Sequence, residues 1–112
     1  MTLTLGMVTI DSLHPAPLAR WWAERLEGTI VEENDGWFYI INVPGWGVSL
    51  GIQKVGEVTP GKNKLHLDFI STDSAADVAT FIKAGAARVA EHSVGDYSWT
   101  VLADPDGNQF CL

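Results

Sequence analysis

The sequence predicts an α+β fold built from two β-α-β-β-β units, and three observations predict it. Strand-like alternation or β-branched and aromatic enrichment marks several short segments. A helical apolar face appears once in each half. The same order of elements then returns after a linker rich in Gly, Pro and charge.

In the first unit, about residues 3–55, residues 3–10 (LTLGMVTI) read as a strand with Leu5, Val8 and Ile10 among its apolar positions. Pro15 and Pro17 exclude a strand interior but are tolerated in a first helical turn. From Pro17 a helix is predicted, with Leu18, Trp21, Trp22 and Leu26 on one face and Gly28 as its C′ stop. Residues 29–33 make a short strand, and Asn34-Asp35-Gly36 a hairpin turn. Residues 37–43 and 46–55 are two further strands, separated by Pro44-Gly45.

Residues 56–63 (GEVTPGKN) carry no hydrophobic period and form the linker. The second unit, about residues 64–112, opens with a strand over 64–70 with Leu65, Leu67 and Phe69 on one parity. Ser74 with Asp77 three residues on looks like a capping box. Val78, Phe81 and Ile82 give the helix its apolar face, and Gly85 ends it. Residues 86–91, 97–103 and 108–112 supply three more strands. Between the last two, Asp104-Pro105-Asp106-Gly107 is a tight turn, with Pro105 presetting φ and Gly107 accepting positive φ.

The alternation divides each sheet into two faces. Val8, Ile10, Leu65, Leu67, Phe69, Phe110 and Leu112 are expected beneath the helices. The opposite positions are Met7, Thr9 and Asp11, then His66, Asp68 and Ile70, then Gln109 and Cys111. Their polarity suits either a wet cup or an open sheet meeting solvent. Trp37, Trp46 and Trp99 lie on predicted strands, where an indole either fills the core or stacks on a flat or cationic ligand. His14 reads as an exposed loop residue, and His92 has no evident partner.

Composition bounds the function. A chain of 112 residues with 46% hydrophobic content and five Trp holds one folded domain, residues 1–112. No apolar run reaches the length of a membrane span, and the start lacks a signal-peptide pattern. A single Cys allows no internal disulfide, so a cytoplasmic home is expected. The net charge of −7 argues against nucleic acid and favours, if anything, a cationic ligand. No Ser-His-Asp arrangement or phosphate-cradling glycine loop is legible.

Three stretches carry a resemblance over nearly the whole chain. They are Val8-Thr9-Ile10-Asp11 leading to Trp21-Trp22, then Pro60-Gly61-Lys62-Asn63-Lys64-Leu65-His66-Leu67-Asp68, and the closing Asp104-Pro105-Asp106-Gly107-Asn108. They resemble the glyoxalase/bleomycin-resistance/dioxygenase (vicinal oxygen chelate) superfamily, in particular its small glyoxalase-like domain proteins. The resemblance implies a curled, mixed-sheet cup shared by the two units. It also implies, in the metal-dependent members, one divalent ion held by His, Glu or Gln donors that suit an octahedral or five-coordinate site. Those positions fall here on Met7, on Gln53 (or Leu50 or Ile52), on His66 and on Cys111. Asp11 and Asp68 lie near the implied cup. Two readings follow from the resemblance. One is a small-molecule-binding protein without the complete metal site, holding a flat or cationic organic compound with Thr9, Asp11, Gln53, His66, Asp68, Trp99 and Cys111. The other is a lyase, isomerase or dioxygenase using a divalent ion on His66 and Gln53. A duller third is a vestigial cup in an interaction protein. A homodimer is expected, because sheet edges in such folds often pair across a two-fold axis.

Overall fold

The computed structural model describes residues 4–112. Leu3, where the predicted first strand begins, lies outside them. The chain divides into two compact units, Met1–Val58 and Thr59–Leu112.

Unit 1 contains β1 (Met7–Ser12), α1 (Pro15–Arg25), β2 (Thr29–Glu32), β3 (Phe38–Asn42) and β4 (Ser49–Lys54). Its four-stranded sheet has the order β1-β4-β3-β2. β1 runs parallel to β4, and the other pairs are antiparallel. Helix α1 lies on this sheet. It starts at Pro15, two residues before the predicted Pro17, because Pro15 already has the φ a first turn needs and is itself buried. Leu18, Ala19 and Trp22 of the helix meet Ile41, Leu50 and Ile52 of the sheet in the core, each no more than 1% exposed. Trp21 sits edge-on to Trp22, with ring centroids 5.0 Å apart.

The end of α1 departs from the expected glycine stop. The left-handed residue is Glu27, with φ 55°. The N–H of Gly28 reaches Ala23 O at 2.8 Å and that of Glu27 reaches Glu24 O, the pairing of a Schellman motif. Gly28 serves packing instead: a Cβ there would stand 2.8 Å from Ile41 Cγ2 and 2.9 Å from Asn42 O. Asn34–Gly36 turns the chain as expected, as a short 3-10 element whose three residues all have positive φ.

Unit 2 contains α2 (Ser74–Lys83), β5 (Ala87–Val94), β6 (Tyr97–Ala103) and β7 (Gln109–Cys111), with strand order β5-β6-β7, all antiparallel. Its core joins Phe81 of α2 to Phe110 of β7, with ring centroids 5.1 Å apart, and Phe69 leans on both. Gly85 ends α2 as expected, in the left-handed region at φ 111°. The N-cap is Asp73 rather than Ser74; its carboxylate accepts the Ala76 N–H at 3.2 Å. Asp caps as well as Ser does, and Ser71 Oγ accepts the Asp73 N–H at 3.0 Å, which sets the start one residue earlier.

The predicted strand over residues 64–70 is not formed as a strand. It is reduced to one parallel bridge between Asp68 and Cys111, closed by Cys111 N–H to Leu67 O and Phe69 N–H to Cys111 O, both 2.9 Å. The next outward backbone groups of β7, the N–H and C=O of Gln109, are taken by the Asn63 side chain instead of by the main chain, so the ladder stops at this bridge. Leu67 and Phe69 keep the expected parity and are partly buried, but Leu65, beyond the ladder, is 81% exposed.

Candidate functional site

The closing turn positions β7. Asp104 is 4% exposed, and its Oδ1 accepts the N–H groups of Asp106 and Asn108 at 3.0 and 2.8 Å. The Asn108 carboxamide donates to the same carboxylate, at 2.9 Å to Oδ2. A buried carboxylate holding several N–H donors is a strong local clamp. It aims Gln109, Phe110 and Cys111 so that Phe110 enters the core while Gln109 and Cys111 occupy the other face.

A second clamp holds the segment bearing His66 and Asp68. Asn63 Oδ1 accepts the Gln109 N–H at 2.8 Å, and its Nδ2 donates to Gln109 O at 3.2 Å and to Leu65 O. The Asp68–Cys111 bridge then sets these two side chains beside each other. His66, two residues earlier in extended chain, lies on the same side. Its Nε2 stands 3.2 Å from Asp68 Oδ1, and donor atoms of His66, Asp68 and Cys111 all lie within 4.8 Å of one another. Burial first, and then the hydrogen bond and negative charge of Asp68, push the Cys111 thiol above its ordinary 9.0, while Lys62 acts in the opposite direction. The thiol is held in its protonated, unreactive form at neutral pH.

On β6, residues 97, 99 and 101 alternate to the Cys111 face, since Val101 is the register partner of Cys111. Trp99 is therefore on the same face as Cys111. It is flanked by Tyr97, centroids 5.6 Å apart, and by His92, its cross-strand partner, at 5.4 Å. Sequence reasoning missed both neighbours. The available signal was Gly95-Asp96: a two-residue turn with Gly95 at φ 61° pairs Val94 with Tyr97 and hence His92 with Trp99.

In unit 1 the register sets Thr9 opposite Gly51 and Asp11 opposite Gln53, so Thr9, Asp11 and Gln53 share the face away from α1. A Cβ at Gly51 would lie 2.7 Å from Met7 Sδ, 2.9 Å from Thr9 Oγ1 and 3.1 Å from Phe38 Cε1. The glycine lets those three side chains converge over bare backbone. Trp37 is 60% exposed with the Lys54 ammonium 4.9 Å above its ring, and Trp46 lies in the turn before β4, its N–H bonded to Val43 O.

Comparison with known proteins follows the same lines. A family model described as a glyoxalase-like domain matches residues 7–112. A member of the glyoxalase/bleomycin resistance protein/dioxygenase superfamily from Sphaerobacter thermophilus DSM 20745 superposes with a TM-score of 0.76 at 17% identity, covering 97% of this chain and 94% of that one. TnmS3, an antibiotic binding protein from Streptomyces sp. CB03234, gives 0.75 at 18% identity over 99% and 95%. The oxidase ChaP-H2 gives 0.71 at 19% identity over 99% and 92%. Identities this low establish a shared fold and nothing finer. No curated protein matches in sequence.

Proposed function

The chain belongs to the glyoxalase-like domain family, and from that premise we propose that it captures a flat or cationic organic compound without chemically changing it. The observation that carries this reading is the aromatic strip His92–Trp99–Tyr97 on the face that also holds Cys111. Tilted neighbouring rings of this kind offer a planar or cationic molecule an apolar, electron-rich surface. His66, Asp68 and Cys111 of the same unit supply the orienting polar groups. The net charge of −7 favours a cation. The antibiotic-binding description of TnmS3 is a precedent on the same fold. In this reading the superfamily's metal site is incomplete, because Cys111 offers sulfur where that family usually has His, Glu or Gln. Capture itself needs no metal. We further propose a cytoplasmic homodimer that binds neither nucleic acid nor membrane; among the described residues no helix is long and apolar enough to cross one.

The test is a screen of planar cationic and neutral aromatic compounds by Trp fluorescence, with Trp99→Ala beside the native protein. Saturable quenching that Trp99→Ala weakens at least about tenfold supports capture, since base-like stacking on one ring is worth about 1–3 kcal/mol. Turnover of a bound compound that depends on added metal overturns it. That outcome would favour the second reading, a metal-dependent lyase, isomerase or dioxygenase, for which the oxidase ChaP-H2 offers a precedent of fold.

A further inference from the structure

The distal half of the β5–β6 hairpin is a two-stranded ribbon in which every residue from Glu91 to Ser98 is exposed. Its register pairs His92 with Trp99 and Val94 with Tyr97, so these four side chains form two adjacent rows on the Cys111 face. Glu91, Ser93, Ser98 and Thr100 take the other face. Of the four, only His92 carries a group of the kind that changes charge between about pH 5 and 8. We infer that His92 sets the charge selectivity of the strip: its neutral imidazole admits a planar cation onto Trp99, and its protonated form excludes one. The inference rests on the capture reading above and names the residue that decides which ligand charge is accepted.

The geometry places His92 where its charge is felt. Its ring centroid stands 5.4 Å from that of Trp99, with the planes 32° apart. A cation on Trp99 is held by the negative face of the indole. An imidazolium one ring spacing away opposes it twice, by repulsion between like charges and by drawing on the same π system. A neutral planar molecule, held by dispersion and apolar contact, meets no such repulsion.

The surrounding charges leave His92 to act alone. Arg88 and Glu91 of its own strand lie on the other face, paired with each other at 2.6 Å. Tyr97 is the titratable neighbour on β6, and Asp96 sits in the turn beyond it. Cys111 and Asp68 lie one row further back, past Ala90 and Val101, and His66 lies beyond them, facing Asp68 at 3.2 Å. Helix α2 packs on the opposite face, Phe81 against Phe110. Among the described residues His92 makes no ion pair, whereas His66 does. A proton on His92 therefore adds a positive charge beside Trp99 that no paired carboxylate cancels. By linkage, a bound cation must in turn hold His92 neutral and move its titration to lower pH by the same factor.

The experiment uses the full-length protein and two planar probes of matched size, N-methylquinolinium, whose charge is fixed, and the neutral N-methylquinolone. Trp fluorescence gives each affinity between about pH 5 and 8, while NMR follows the His92 ring protons, assigned by their absence from His92→Gln. N-methylquinolinium should bind about tenfold more weakly once His92 is protonated, and N-methylquinolone should change less than about twofold. The loss should track the His92 titration, which saturating N-methylquinolinium should lower by about one pH unit, the linked equivalent of tenfold. His92→Gln should flatten the profile, and His92→Lys should hold cation affinity at its low value throughout. The pH dependence should survive in His66→Gln. A flat profile in the native protein, one that persists in His92→Gln, or one that vanishes in His66→Gln overturns the selectivity role and leaves capture standing. Failure of both probes to quench Trp fluorescence overturns capture, and the role of His92 with it.

Discussion

Asn63 pairs with the backbone of Gln109 as a neighbouring strand would. Its Oδ1 accepts the Gln109 N–H at 2.8 Å and its Nδ2 donates to the Gln109 carbonyl at 3.2 Å. One side chain thereby extends a ladder that the main chain between Asn63 and Leu67 does not make, and it holds His66 and Asp68 against β7. Asn63→Ala leaves two partly buried backbone groups without these partners. It should cost about 1–3 kcal/mol in urea unfolding. Asn63→Asp keeps the acceptor and loses the donor, so it should fall between the two. Equal stability of all three proteins would mean that the clamp contributes nothing.

Asp104 makes the corresponding arrangement at the other end of β7. Asp104→Ala removes a buried acceptor that serves Asp106 and Asn108. The freed donors are partly water-accessible, which limits the loss to about 2–4 kcal/mol. Phe110 leans on Phe69 and Phe81, so the same change should loosen the unit 2 core, read as faster hydrogen exchange at the Phe110 amide.

Adjacent residues at the end of α1 should respond with opposite sign. Glu27→Gly relieves a left-handed non-glycine residue and should stabilise by about 0.5–1 kcal/mol. Gly28→Ala drives a methyl against Ile41 Cγ2 and the Asn42 carbonyl oxygen, and should destabilise by about 1–3 kcal/mol. Thermal denaturation of the two variants against the native chain is sufficient.

Cys111 is held protonated by burial first and by Asp68 second. Its contribution to stability is full below the ordinary thiol value of 9.0 and is lost as pH rises through the higher value of the folded chain. Asp68→Asn removes the second cause but not the first. Alkylation of Cys111 at a fixed mildly alkaline pH should quicken, and its pH midpoint should fall. An unchanged rate would show that the Asp68 carboxylate does not reach the thiol.

Much of this architecture was legible in the chain itself. Apolar spacing located both helices, and turn chemistry located the Asn34–Gly36, Pro44-Gly45 and Asp104–Gly107 corners, because those signals are local. Parity assigned Val8, Ile10 and Phe110 to one face and Thr9, Asp11 and Cys111 to the other, because side chains alternate along any strand. What alternation leaves open is whether a strand finds a partner. Residues 64–70 have the right pattern and yet pair only at Asp68, since the Asn63 side chain takes the Gln109 backbone groups that a longer ladder would use.

The same division holds for the candidate site. His66, Asp68 and Cys111 were singled out one by one from their residue types and the family pattern, but their convergence depends on a bridge across more than forty positions of chain. His92 and Tyr97 gained their places beside Trp99 only through the hairpin register, and Gly28 gained its importance only through the approach of Ile41 and Asn42. By itself the sequence determined the helices, the turns and the alternation of side chains between faces, because those depend on neighbours a few residues away. Tertiary structure alone decided which distant side chains meet, because that is set by hydrogen-bond register and close packing between segments that local sequence does not encode.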